Sequence, residues 1–421
     1  MNLKIRLSLM NFLEFATWGA YLTSMGRYLG NLGMGEHIGW FYSMQGIVSI
    51  FMPALMGIVA DRWIPAQRLL GLCHLLAGGF MLATAFYGQS AAGAVDFATF
   101  FTLYALSVAF YMPTLALSNS VAYTALSSAG MDTIKDFPAI RVFGTIGFIL
   151  TMWCVDLMGF QGNQNQFITS AFVSFLLFAY TFSLPNCPIA PKAQTKTFVE
   201  AFGLRAFSLF KDKRMAIFFI FSMLLGVSLQ ITNSYANPFL FSFGAEEAYR
   251  TSFGVEHANI LISLSQVSET VCILLIPFCM RRYGIKNVML IAMFAWVLRF
   301  GLFGLGDPGF PGVLLLLTSM VVYGVAFDFF NVSGSLFVDK NTDASIRSSA
   351  QGLFMLMTNG IGATIGTLAA QAIVNHFTHA EQIATGTVTV GNWQACWFIF
   401  AAYALVVGVT FAIIFQPKKN V

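Results

Sequence analysis

Four apolar stretches of this chain carry polar side chains at helical spacing. In SLSQVSET, Gln266 and Glu269 stand three residues apart; in LQITN, Gln230 and Asn233 repeat that offset; in VVYGVAFDFFN, Asp328 and Asn331 do so again. Residues three or four apart share one face of a helix, so each pair projects the same way. In DFPAIRVFGTIGF, Arg141 and Thr145 are four apart and Phe148 follows about one turn on, giving a cation, a hydroxyl and a ring along one side. Tyr323 and Phe327 are also four apart, next to Asp328, and with Phe148 they can sandwich a flat ring. One amide pair is accounted for by helix-to-helix packing, since Asn and Gln hold membrane helices together. Four stripes from both halves of the chain, with two acids and a cation, point instead to a shared polar cavity.

The elements that must position these residues are membrane spans. The chain is 57% hydrophobic and 10% charged, against roughly 25% charged in soluble domains. Apolar stretches long enough for a helix to cross about 30 Å of hydrocarbon recur twelve times, near 8–29, 38–60, 69–88, 98–122, 138–160, 166–184, 214–241, 258–280, 286–304, 311–337, 348–374 and 393–416. The fold class is therefore all-α, a polytopic membrane protein of two six-helix bundles. Residues 1–184 form the first bundle and 214–421 the second, with a cytoplasmic linker at 185–213 whose segment 197–210 is expected as an amphipathic helix. Of 22 Lys and Arg, 18 lie at the termini or in alternate loops, while the opposite loops hold only Arg250 beside seven acids. By the positive-inside rule both termini are cytoplasmic. The basic residues spread along one membrane face, so the charge of +4 calls for no nucleic-acid partner.

On these spans Asp328 lies about 24 Å from the outer start of its helix and Glu269 about 18 Å into its own. Charged residues at such depth are costly and are usually paired, cavity-facing or functional. A helix starting at Pro138 would put Arg141 near the cytoplasmic mouth; an earlier start, or a role in an inner gate, would resolve this. Arg27, Asp156 and Arg299 are close enough to helix ends to snorkel to water, whereas Glu14 is deeper and either structural or functional. Asn119 is a weaker cavity candidate. The glycine pairs Gly144 and Gly147, and Gly362 and Gly366, let backbones approach closely. Six cysteines and five histidines form no ligand spacing, which argues against a metal, a disulfide framework or any cofactor. No loop carries a catalytic constellation, so an enzyme is not expected.

The stretches MPALMGIVAD, DFPAIRVFGTIGF, RMAIFFIFSMLLG, LQITN, SQVSET, RYGIKNVM and AFDFFNVSGSLFV, in this order, resemble the nucleoside:proton symporter family of the major facilitator superfamily, the NupG-type nucleoside permeases. GIVADRW, with Gly57, Asp61 and Arg62, is similar to the start of the superfamily's signature loop, assigned to gating. The resemblance implies a monomer in a bacterial inner membrane that imports nucleosides such as uridine and adenosine with protons. It places the substrate on Arg141, Thr145, Phe148, Gln230, Asn233, Gln266, Glu269, Tyr323, Phe327 and Asp328. Asp328 and Glu269 are the expected proton carriers, because a carboxylate that alternates between dry and wet surroundings changes its proton affinity. The chain departs from the family's pattern at Glu14, where an uncharged polar residue is expected, and in the loop AEEAYRTSFGVEH. Other readings are a sugar symporter of the same fold, a polytopic lipid enzyme and a non-transporting sensor.

Overall fold

In hydrocarbon no water satisfies exposed backbone groups, so an apolar chain of this kind must close its hydrogen bonds within helices. The computed structural model of the protein describes residues 2–90, 95–189, 204–343 and 346–416, most of them helical. Two units emerge, one of Met1–Met34 and Ile47–Phe202, the other of Gly35–Gly46 and Gly203–Val421.

The first unit holds α1 (Leu3–Gly19), α2 (Met25–Asn31), most of α3 (Ile38–Arg62), α4 (Ala66–Ser90), α5 (Phe97–Ser128), α6 (Thr133–Leu157) and α7 (Asn165–Thr181). Side chains cap exposed helix starts: Asn2 accepts from the Lys4 amide at 3.2 Å, and Asp96 from that of Thr99 at 2.9 Å. The Thr99 amide and hydroxyl together hold the Asp96 carboxyl below its ordinary range. A core of Leu7, Met10, Leu70, Val121, Ile140 and Leu177 joins α1, α4, α5, α6 and α7. Gly147 decides how closely α6 approaches α1, since a Cβ there would meet the Phe12 carbonyl oxygen.

The second unit holds α8 (Lys213–Leu229), α9 (Ile231–Ser242), α10 (Phe253–Glu256), α11 (Ala258–Leu305), α12 (Gly312–Asn341), α13 (Arg347–Met355), a π-helical turn over Leu356–Gly362, α14 (Ala363–Phe377) and α15 (Trp393–Ile414). Rings of Phe239, Phe300, Phe303, Trp397 and Phe400 pack its interior. The first turns of α3 also belong to this unit. There Gln371 of α14 accepts from the Gly39 amide at 2.5 Å, occupying one of the donors that a helix start leaves open.

Nine stretches among the described residues are helical, long and apolar enough to cross a bilayer. One of them, α11, has 48 residues, about 72 Å of helix and so two crossings. Its backbone turns at Gly284, where φ is +74°, a value natural to glycine. Adding α1 and α7, of 17 residues each, brings the total among the described residues to the twelve that hydropathy predicts.

Three expectations change. The sixth helix begins at Thr133, ahead of Pro138, so Arg141 lies eight residues, about 12 Å, inside α6 and not at its mouth. The connection from α14 to α15 is an antiparallel hairpin, β1 (Thr378–Ile383) with β2 (Gly386–Gly391), which hydropathy does not signal. Val388 of β2 is buried against Phe241 and Val255, giving the hairpin its own small core. Half of the expected amphipathic helix at 197–210, residues 197–203, lies outside the described residues, and Leu204–Lys211 is a 3₁₀ helix.

Candidate functional site

The acids of the second unit sit where α11 and α12 meet. Gly324 permits this contact: a Cβ there would meet the backbone of Ser268, whose hydroxyl donates to the Val321 carbonyl. Asp328 is 4% exposed, and its Oδ2 has no hydrogen-bond partner among the described residues. Gln266 on α11 is buried too, with Oε1 likewise unpartnered. Buried polar atoms are nearly always bonded, so two unpartnered acceptors are notable. Glu269, half-buried, is the charge that acts on Asp328, and both acids act on Tyr323. The rings of Tyr323 and Phe327 stack, with centroids 5.4 Å apart and planes 17° from parallel. Asn331, expected on the same stripe, turns back along its helix and donates to the Phe327 carbonyl at 3.0 Å.

Gln230 stands at the break between α8 and α9, with the half-buried Asn233 donating to its side-chain oxygen at 3.0 Å. The pair expected from i, i+3 spacing is thus bonded within itself, leaving a Gln Nε2 donor and an Asn oxygen acceptor as its further capacity.

In the first unit Arg141 lays its guanidinium 3.8 Å over the Phe15 ring. Phe148 meets Trp18 edge to face at 6.3 Å, and Thr145 is half-buried one turn from Arg141. The cation and ring of α6 therefore lie beside aromatic side chains of α1. Gly57 has no neighbour within 4 Å of a built Cβ and Arg62 is exposed. The Asp61 side chain lies outside what is described.

The isolated charges differ most from the sequence reading. Arg299 does not snorkel: it is 1% exposed, donates to the Ser319 carbonyl at 2.7 Å, and lies 4.5 Å over the Tyr323 ring. Asp156 is buried and acts on Arg27, so neither is simply a solvated helix end. Glu14 is wholly buried, with Oε2 2.9 Å from His74 Nε2 and Oε1 accepting from Thr114 at 2.5 Å. His74 was passed over in the sequence because its partner lies sixty positions away, beyond any local spacing. Gly362 and Gly366 pack against the backbone of α8, the ordinary role for such glycines. Asn119 is half-buried.

A pocket of about 570 Å³, lined by residues including Leu290, Phe294, Leu298 and Val322, contains none of the polar residues above. Its apolar side chains, among them exposed Phe294 and Leu298, suit lipid tails better than a polar solute.

Comparison with known proteins bears on this arrangement. The sequence profile of a family described as Nucleoside H+ symporter matches residues 1–420. Nucleoside permease NupG of Escherichia coli (strain K12) is 47% identical over 420 residues, spanning 99% of this chain and 97% of that protein. Xanthosine permease of the same organism is 46% identical over 413 residues, spanning 98% and 95%. A crystal structure of a point mutant of the nucleoside transporter NupG superposes with a TM-score of 0.92 at 45% identity, covering 99% of this chain and all of that one. A D-xylose-proton symporter, at 14% identity and a TM-score of 0.70, shares the fold.

Proposed function

We infer the roles of individual residues from the premise that this chain belongs to the nucleoside H+ symporter family. It is a multi-pass membrane transporter with the twelve-helix major facilitator fold, and its transported species are nucleosides and protons. The proposal concerns how its side chains divide that work. Asp328 Oδ2 and Gln266 Oε1 accept from donors of the nucleoside, its ribose hydroxyls or base N–H groups. Tyr323 and Phe327, already parallel, offer a face to the base. Glu269, Gln230 and Asn233 supply further polar contacts. In the first unit we assign Arg141, Thr145 and Phe148 as further substrate contacts. No covalent chemistry is assigned to any of them.

The observation that carries this reading is the buried Asp328, with one oxygen unpartnered and the charge of Glu269 acting on it. An anion so placed is costly, and the cost is relieved by a proton, by water or by a bonded hydroxyl. We take Asp328, with Glu269, to bind the proton in one access state and lose it in the other. The halves 1–184 and 214–421 are the moving bodies, joined by 185–213. The basic loops put both termini in the cytoplasm of a bacterium, with the chain acting as a monomer in its inner membrane.

The test is pH-gradient-driven uptake of labelled uridine into proteoliposomes, with competing adenosine, xanthosine and free sugars. Accumulation is expected to be lost or strongly reduced in D328N or E269Q while exchange of nucleoside across the membrane persists. Intact proton-driven accumulation in both variants refutes the scheme. Competition by free sugars but not nucleosides would refute the assignment of the stacked rings to a base.

A further inference from the structure

Glu14 and His74 form a closed polar cluster in the interior of the first unit, each 0% exposed. His74 Nε2 is 2.9 Å from Glu14 Oε2, and His74 Nδ1 is 2.8 Å from the Ser174 hydroxyl. Two hydroxyls in this cluster each have two alternatives. Thr114 reaches Glu14 Oε1 at 2.5 Å and the Tyr111 carbonyl at 2.6 Å, and Ser174 reaches His74 Nδ1 at 2.8 Å and the His74 carbonyl at 2.9 Å. A hydroxyl has one proton to donate. When Ser174 donates to Nδ1, the imidazole is neutral, with its proton on Nε2 toward Glu14. When Ser174 donates to the His74 carbonyl, its oxygen accepts an Nδ1 proton and the ring is an imidazolium balancing the carboxylate. Both states leave every donor bonded, so rotation of one hydroxyl accommodates the gain or loss of one proton.

A small polar cavity adjoins the cluster. Thr17, Tyr21, Ser107, Tyr111, Ser170 and Ser174 bound a cavity of about 10 Å³, room for one water molecule. Ser174 belongs to both cavity and cluster. The other titratable or charged groups acting here are Cys73 from α4, Tyr111 from α5, Tyr21 from the turn after α1, and Arg141 from α6. Ser174 represents α7.

We propose that Glu14 and His74 are a second proton-binding site, separate from Asp328 and Glu269, and that one proton passes through it in each transport cycle. On uptake an excess proton arriving on the cavity water as hydronium passes to the Ser174 oxygen while the Ser174 hydroxyl gives its own proton to His74 Nδ1, leaving neutral water; the pair goes from net charge −1 to neutral. Release reverses both transfers. The inference rests on proton-coupled transport but not on the role given to Asp328.

The test is the steady-state uridine gradient supported by an imposed membrane potential in proteoliposomes. At about 59 mV each proton moved per uridine supports a further tenfold gradient. E14Q keeps a side chain that can accept from His74 and donate to Thr114, but holds no carboxylate to balance an imidazolium. Its gradient is expected to be tenfold lower than that of the unmodified protein, whatever Asp328 contributes. An equal gradient overturns the proposal and leaves the cluster a structural clasp. D328N, measured in parallel, reads the other site separately. Should E14Q not transport, calorimetry of uridine binding in buffers of different ionisation heat counts the protons taken up. One proton fewer in E14Q, and likewise in H74Q, supports the proposal; an unchanged count overturns it.

Discussion

Arg299 is the residue whose removal best tests the packing of the second unit, because its setting reverses what its position in the chain suggests. A snorkelling arginine would be replaced at almost no cost. The structure instead buries the guanidinium, with one 2.7 Å bond to the Ser319 carbonyl and the Tyr323 ring 4.5 Å away. Its contacts to Ser265, at 3.4 and 3.5 Å, are too long to contribute much. The charge-assisted bond is worth about 1.5–3 kcal/mol and a desolvated cation–π contact about 2 kcal/mol. Relief of the buried charge offsets part of this, so Arg299→Leu alone has a blurred expectation of about 1–4 kcal/mol. A double-mutant cycle removes the ambiguity. Arg299→Leu and Tyr323→Leu, singly and together, are unfolded in mixed micelles, and the desolvation change common to both arginine arms cancels. The coupling energy is expected at about 1–2 kcal/mol. A coupling below about 0.3 kcal/mol, within the additivity of independent sites, would show that the guanidinium does not hold the ring. The same cycle carries a functional consequence, since a displaced Tyr323 loses its stack on Phe327.

Phe327→Ala removes half of that stack, and nucleoside affinity should fall about fivefold to 150-fold, from the roughly 1–3 kcal/mol of base stacking on an aromatic ring; titration calorimetry with uridine reads it, and an unchanged Kd would exclude a role in stacking. Gly147→Val places a Cβ against the Phe12 backbone, 2.9 Å from its carbonyl carbon, so α1 and α6 must separate, at about 1–3 kcal/mol of stability. Thermal unfolding with the variant indistinguishable from the parent would contradict that contact. Gln371→Leu strips the Gly39 amide and the Tyr235 hydroxyl of their acceptor, which at about 1–3 kcal/mol for each buried group predicts a clear loss of thermal stability. Retention of full stability would mean that the start of α3 finds another cap.

Much of the fold is legible in the sequence for a simple reason. Bilayer thickness imposes one length on every span, and lack of solvent imposes helix, so hydropathy alone locates twelve crossings. The hairpin over Thr378–Gly391 escaped because a short two-stranded element with one buried valine makes no hydropathy signal. The start of α6 was misplaced because Pro138 reads as a helix boundary, whereas here it falls within the first turns.

For the candidate site, spacing along one helix determined which residues share a face: Tyr323 and Phe327 stack as their separation of four requires, and Gln230 and Asn233 meet as their separation of three allows. Tertiary structure alone decided the partners of buried charges. Glu14 is matched by His74 and Thr114, and His74 in turn by Ser174, so the cluster joins four helices through partners up to a hundred residues apart. Arg299 is matched by a carbonyl and a ring on the next helix. The physical reason is that amphipathic period is a local property of the chain, whereas the compensation of a desolvated charge depends on whichever group packing brings within hydrogen-bonding distance.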